Sequence, residues 1–226
     1  MQMPHTQDAE KTTGRARLDA AMIIEAGLEL ASTPGVTSIS VRDLGARLGA
    51  DPTAIYRHFR SKDALMEALL DELNGRAVAS IDVPADDWAA RLRRLAEVTL
   101  DWYGRYPAIA IEATSLTTHG PGELAAIEFM LDAFHRAGLR DGELIRHYAL
   151  LASHVLAVSA GIARSRAERG GDDDTSPWFD APLLADPRSF PLIAANAAAL
   201  ADLQDRELFL MGVDVIIESA SRAAAS

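Results

Sequence analysis

The sequence predicts an all-α protein of about ten helices, a small N-terminal three-helix unit followed by a larger helical bundle. Three observations carry this reading. Apolar residues recur at three- and four-residue steps through most of the chain, and no segment alternates convincingly as a strand would. Two short helical patterns meet at a glycine-containing turn between residues 39 and 62. Charge is also partitioned: residues 1–62 hold eight Lys or Arg against seven Asp or Glu, a net of +1, whereas the remainder holds fourteen against twenty-six, a net of −12.

Composition bounds the function. At 226 residues, 49% hydrophobic and 24% charged, the chain can bury a sizeable core and is unlike a disordered one. Zero cysteines exclude disulfides, thiolate catalysis and Cys-ligated zinc. No apolar run reaches the roughly 18 residues of a membrane span, and no apolar signal segment opens the chain. These features predict a soluble cytoplasmic protein with no membrane partner. The net charge of −11 does not argue against a nucleic-acid partner, because the acidity lies after residue 62.

Residues 1–16 are polar and read as a flexible tail; a basic arm reaching a minor groove is the alternative. Leu18, Ala21, Ile24, Leu28 and Ala31 give the first helix its stripe, which Thr33-Pro34-Gly35 ends. Ser40 is a plausible N-cap for a helix over residues 41–48, and Gly49 can stop it in a left-handed conformation. Asp51 caps the next helix, with Pro52 at its first position and the pattern running to Phe59. Val41, Leu44, Leu48, Ile55 and Phe59 face inward, and Gly45 is small where the two helices cross. This is the layout of a helix-turn-helix, with residues 17–62 as a DNA-binding unit.

On the second helix Thr53, Ala54, Arg57 and His58 face outward. Arg can read guanine bidentately, Thr can bond a base or phosphate, and a methyl group can meet that of thymine. Tyr56, Arg60 and Lys62 are placed for phosphate oxygens. Residues 39–62 carry five Arg or Lys against two acids, a net of +3. By helical pattern alone, a small hairpin with a solvated polar face describes the segment equally well.

The run LGARLGADPTAIYRHFRSKDALMEAL resembles the DNA-binding signature of the tetracycline-repressor (TetR) family of bacterial transcription regulators. Leu44, Gly45, Leu48, Gly49, Ile55, Tyr56, His58, Phe59 and Lys62 carry the match, with Ala64-Leu65 opening the next helix. The resemblance implies DNA contacts by Arg42, Pro52, Thr53, Ala54, Tyr56, Arg57, His58 and Lys62. Position 57 departs from the founding repressor, which has an aromatic there, so no operator sequence is carried over.

Residues 63–226 read as the effector-binding and dimerisation domain. Ser61 caps a fourth helix with Leu65, Leu69, Leu70, Leu73 and Ala77 on one side. Helices then follow from Trp88, over 108–116, 123–137 and 141–166, and over 190–203 and 206–221. The stretch 169–189 reads as a long loop in which Trp178 and Phe179 either form a lid or dock on the surface. Ala149–Gly161 and Leu208–Ile217 are apolar on more than one side. In the resembled family the corresponding helices form a two-fold dimer interface, implying a homodimer on a pseudo-palindromic double-stranded DNA operator. The same resemblance implies a pocket for a small-molecule effector. Leu95, Thr99, Trp102, Thr114, Phe129 and His154 are its candidate residues, each equally readable as core.

No catalytic residues and no cofactor are expected: triad signatures, phosphate loops and paired carboxylates are lacking. His147 and His154 share a helix face about 10 Å apart, too far for one metal ion. The competing readings are an all-helical enzyme whose hairpin merely packs, and a helical ligand-binding protein without DNA recognition.

Overall fold

The computed structural model describes residues 18–170, 176–179, 181 and 183–225; the tail expected over residues 1–16 lies outside them. Eleven helices are present among the described residues, with no strand. α1 (Ala20–Ala31), α2 (Val41–Leu48) and α3 (Pro52–Tyr56) form the N-terminal unit. α4 (Lys62–Ala79), α5 (Trp88–Arg105), α6 (Pro107–Ala113), α7 (Pro121–Arg136) and α8 (Asp141–Arg169) follow. The short α9 (Pro191–Ala195) and α10 (Ala197–Ala201) precede α11 (Asp205–Ala224). The single helix expected over 190–203 is two. Asn196 divides it: its side-chain amide donates to the Leu192 carbonyl at 2.8 Å, competing with the backbone ladder.

Helix starts follow the chemistry of their caps. Asp19, Ser40, Asp51, Ser61 and Asp87 each accept a backbone N–H from the first turn of α1 to α5 in order. α1 buries Ile23, Ala26, Gly27, Leu28 and Ala31, while Leu18 and Ile24 are partly buried and Ala21 is exposed. The stripe is therefore rotated from the expected one. Gly27 is the reason: a Cβ there would lie 2.8 Å from Leu69 Cδ2, so α4 can sit close against this side of α1.

Two apolar cores result. One joins α1–α4 to α6 and to Ala160 and Ala163 of α8, so the N-terminal unit is seated on the bundle rather than tethered to it. The other is built from α5, α7, α8 and α11 around Phe134, Leu151, Phe209 and Val213. α8 is long and apolar enough by composition to cross a membrane. It packs instead against α5, α6, α7 and α11.

α4 crosses the start of α7 at very close range. The Asp71 carboxylate accepts the N–H groups of Gly122 (3.1 Å) and Glu123 (2.9 Å) and the Thr118 hydroxyl (2.9 Å). A Cβ on Gly122 would stand 1.9 Å from the Asp71 carbonyl oxygen. Gly122→Ala must therefore push α7 from α4, and is expected to cost about 1–3 kcal/mol or more in denaturant unfolding. An unchanged unfolding midpoint would contradict this crossing.

Candidate nucleic-acid interface and bundle cavity

The turn between α2 and α3 is specified residue by residue. Ser40 Oγ accepts the Asp43 N–H at 3.1 Å, and Gly49 ends α2 at φ 57°. A Cβ on Gly45 would lie 2.8 Å from the Ala50 carbonyl oxygen, so only glycine allows this approach. Asp51 Oδ1 accepts both the N–H (2.8 Å) and the hydroxyl (2.6 Å) of Thr53. The Thr53 hydroxyl, then its N–H, hold the Asp51 carboxyl below its ordinary range, with Arg57 adding to the effect.

α3 is shorter than its apolar pattern. Arg57 is its C-cap, and the N–H groups of His58 and Phe59 both return to the Ile55 carbonyl. Ile55 is fully buried and Phe59 partly so, which anchors this end. Thr53, Tyr56, Arg57 and His58 are exposed, with Arg42 exposed on α2; Pro52 and Ala54 are half-buried. Tyr56 and Arg57 make no side-chain hydrogen bond or ion pair among the described residues. An exposed aromatic, an exposed guanidinium and an imidazole thus stand at one end of one short helix. Lys62 differs. Its ammonium donates to Glu112 Oε1 of α6 at 2.9 Å, tying the start of α4 to the bundle. Arg47 is likewise committed, to Glu29 of α1.

A cavity of about 260 Å³ lies within the bundle between α4, α5, α7 and α8 and the end of α6. Leu95 and Thr99 line it. The other four candidate residues stand elsewhere. Trp102 stacks on Tyr106 at 5.6 Å, in the core shared with the N-terminal unit. Thr114 is the exposed C-cap of α6. Phe129 lies beneath the Arg91 guanidinium, 4.3 Å from its ring centroid. His154 turns to α11, where it stacks on Phe209 and its Nε2 donates to the Phe209 carbonyl at 2.9 Å.

Helix rotation explains the split. Tyr103, not Trp102, continues the Leu95–Thr99 face one turn on. His154 is rotated by about 200° from Ala152, which does line the cavity. The polar lining missed by sequence reasoning is Asn74, Thr118, Glu123, Tyr148 and Ser153. Asn74 carried a usable signal, as an amide between the apolar positions Leu70 and Ala77.

His147 is also structural. Its Nδ1 is 2.8 Å from the Glu143 carbonyl oxygen and its Nε2 is 3.2 Å from Ser219 Oγ, joining α8 to α11. No cluster of three or more metal-ligating side chains exists among the described residues. In the long loop, Trp178 N–H donates to the Leu203 carbonyl and Asp205 N–H to the Ser176 carbonyl. None of the loop's described residues lines the cavity.

A capped helix-turn-helix with an exposed basic and aromatic edge, seated on a helical bundle, defines a helix-turn-helix transcription regulator. Residues 23–69 match the family of bacterial regulatory proteins called tetR, and residues 82–220 match the tetracyclin repressor-like C-terminal domain. The chain belongs to the tetR family. It is 27% identical over 148 residues to the HTH-type transcriptional repressor DrrR1 of Streptomyces coeruleorubidus. That match covers 65% of this chain and 55% of DrrR1's length. In structure it is similar to a transcriptional regulator of Streptomyces coelicolor A3(2), with TM-score 0.76 and 26% identity over 92% of this chain and 99% of the other. The fold is also that of the TetR family protein ActR of S. coelicolor, solved in complex with actinorhodin. There the TM-score is 0.74 and the identity 19%, over 93% of this chain and 100% of ActR.

Proposed function

We propose that this regulator is a repressor that binds a pseudo-palindromic operator as a homodimer and is released by a small molecule held in the bundle cavity. The observation that carries the reading is the exposed Tyr56–Arg57–His58 edge of a helix whose start is rigidly capped. Arg57 is assigned to base edges, Thr53 and Ala54 to bases or the adjoining sugar-phosphate, and Arg42, Pro52, Tyr56 and His58 to the backbone. Lys62 reaches a phosphate only by giving up Glu112, which makes it a weaker contributor than its position suggests.

The homodimer is supported by the faces of α8 and α11 turned from the core. Ile145, Leu150, Met211 and Val215 are each more than half exposed. Ala149, Ser153, Ala157 and Gly161 form a small-residue track beside them, where a second helix can approach closely. A two-fold partner would place two α3 helices about 34–36 Å apart, in successive major grooves. Leu150→Glu with Met211→Glu is expected to give a monomer by sedimentation that no longer retards DNA. Retention of the dimer would remove this face as the interface.

Release follows from how α4 is shared. Leu70, Asn74 and Ala77 of α4 line the cavity, while Leu65 and Leu69 carry the N-terminal unit. A ligand that prefers a displaced α4 must weaken DNA binding by the factor by which DNA weakens ligand binding. ActR's complex with actinorhodin lends support, as a relative of the same fold holding a small molecule. The deciding experiment is gel retardation on DNA flanking the protein's own gene across a salt series. A discrete complex that weakens steeply with salt supports the reading. Failure there and in unbiased operator selection would overturn it.

A further inference from the structure

Among the described residues, Glu123 is the one formally charged side chain lining the bundle cavity, and no Lys, Arg or His lines it. Its Oε2 accepts the Thr118 hydroxyl at 3.0 Å and the His119 N–H at 2.6 Å, whereas Oε1 has no partner. Immediately behind it, Asp71 accepts the same Thr118 hydroxyl at 2.9 Å. One hydroxyl carries one proton, so two carboxylates compete for a single donor. Neither carboxylate has an ion-pair partner. Burial and then the charge of Glu123 raise the Tyr148 hydroxyl's pKa, placing that carboxylate's field inside the cavity.

The rest of the lining shows what else an occupant must offer. Tyr103 is only 4% exposed, and its hydroxyl makes no hydrogen bond. Asn74 and Tyr148 also line the cavity without side-chain hydrogen bonds. These three side chains keep hydrogen-bonding capacity that an occupant could use. Leu70, Leu95, Ile127 and Met130 supply the apolar part of the lining.

We infer that the cavity takes an amphipathic cation, a basic amine facing Glu123 with an apolar body against Leu95 and Met130. Asn74, Tyr103 and Tyr148 receive its further polar substituents. The sign of the charge decides the class: an anionic effector would meet a carboxylate without an ion-pair partner, in a site that no Lys, Arg or His among the described residues lines. This rests on the reading of the cavity as the effector site.

The test is calorimetric titration of the full chain with phenylpropylamine, phenylpropanol and phenylpropionate, which share one body and differ in charge. The amine is expected to bind about tenfold or more tighter than the alcohol, the scale of one charge-assisted hydrogen bond, and the carboxylate weakest. In Glu123→Gln the amine should fall to the level of the alcohol, whose own binding persists and reports an intact cavity. If that variant fails to fold, the ranking in the unsubstituted protein still decides. Carboxylate binding as tight as the amine's would overturn the inference, as would no amine binding at millimolar concentration or an undiminished amine preference in Glu123→Gln. Gel retardation on the same preparation separates the two readings. A DNA complex without amine preference removes the ligand class alone, and amine binding without any DNA complex removes the regulator reading alone.

Discussion

Replacing Tyr56 and Arg57 together by alanine is expected to abolish the discrete DNA complex while leaving the fold intact. Both side chains are exposed, Tyr56 by 47%, and make no hydrogen bond or ion pair among the described residues, so their removal takes little packing from the protein. Surface changes of this type usually stay within about 0.5 kcal/mol of the parent's stability. On DNA the balance reverses. A bidentate Arg contact to guanine is worth about 1–3 kcal/mol, which is a loss of up to about two orders of magnitude in affinity, and the proposed backbone contact of Tyr56 would be lost with it. Arg57→Ala should also relax sequence preference at one operator position, whereas Tyr56→Ala should weaken all sequences alike. Arg47→Ala is the contrast: Arg47 holds Glu29 of α1, so its removal should loosen the α1–α2 joint without altering sequence preference. A double variant that still retards operator DNA with parental affinity would place the contact surface elsewhere.

Asp205→Ala is expected to produce the largest loss of stability in the molecule. Asp205 opens α11 and is almost fully buried. Its carboxylate accepts Arg166 Nε at 2.9 Å and Nη2 at 2.6 Å, a two-pronged pair with 11% and 4% of the Arg and Asp side chains exposed. Removing Asp205 takes a two-pronged, charge-assisted pair out of a poorly solvated site and costs about 3–5 kcal/mol. For a chain of this size the melting temperature should fall by roughly 10 °C. The exposed Arg146–Glu143 pair, one turn of α8 apart, gives the comparison. Arg146→Ala should barely move the melting curve, because solvent already screens that pair. Arg166 and Asp205 also fix α11 against α8, so Asp205→Ala should weaken any dimer that uses these helices. A melting temperature within a degree or two of the parent's would show that relaxation, water or other contacts of Arg166 make up for the lost carboxylate.

The helix-turn-helix was legible because its determinants are local. Ser40, Gly45, Gly49, Asp51, Pro52 and Ser61 each satisfy a requirement set within a few residues along the chain. The same locality explains why the helical class and most helix positions could be read directly. Errors began where one side chain's choice depended on a distant neighbour. α3 stops at Tyr56 although Phe59 continues its apolar spacing, because the chain must turn into α4. Asn196 breaks a helix that composition favours, by donating its side-chain amide to the Leu192 carbonyl one turn back.

The cavity shows the limit most clearly. Leu95 and Thr99 could be chosen from the periodicity of α5, yet Trp102, Thr114, Phe129 and His154 have the same chemical character and face other partners. Periodicity says which residues share a face, but not which of several neighbouring helices that face meets. The sequence by itself determined the helical class and the capped turn, since these rest on contacts within a turn or two of helix, and its resemblance to a known family pointed to DNA binding. Only the tertiary structure decided that Glu123 and Asp71 compete for one hydroxyl, that Lys62 is held by Glu112, and that α4 serves both the cavity and the N-terminal unit. Those facts join residues tens of positions apart, and their pairing is set by how the helices cross.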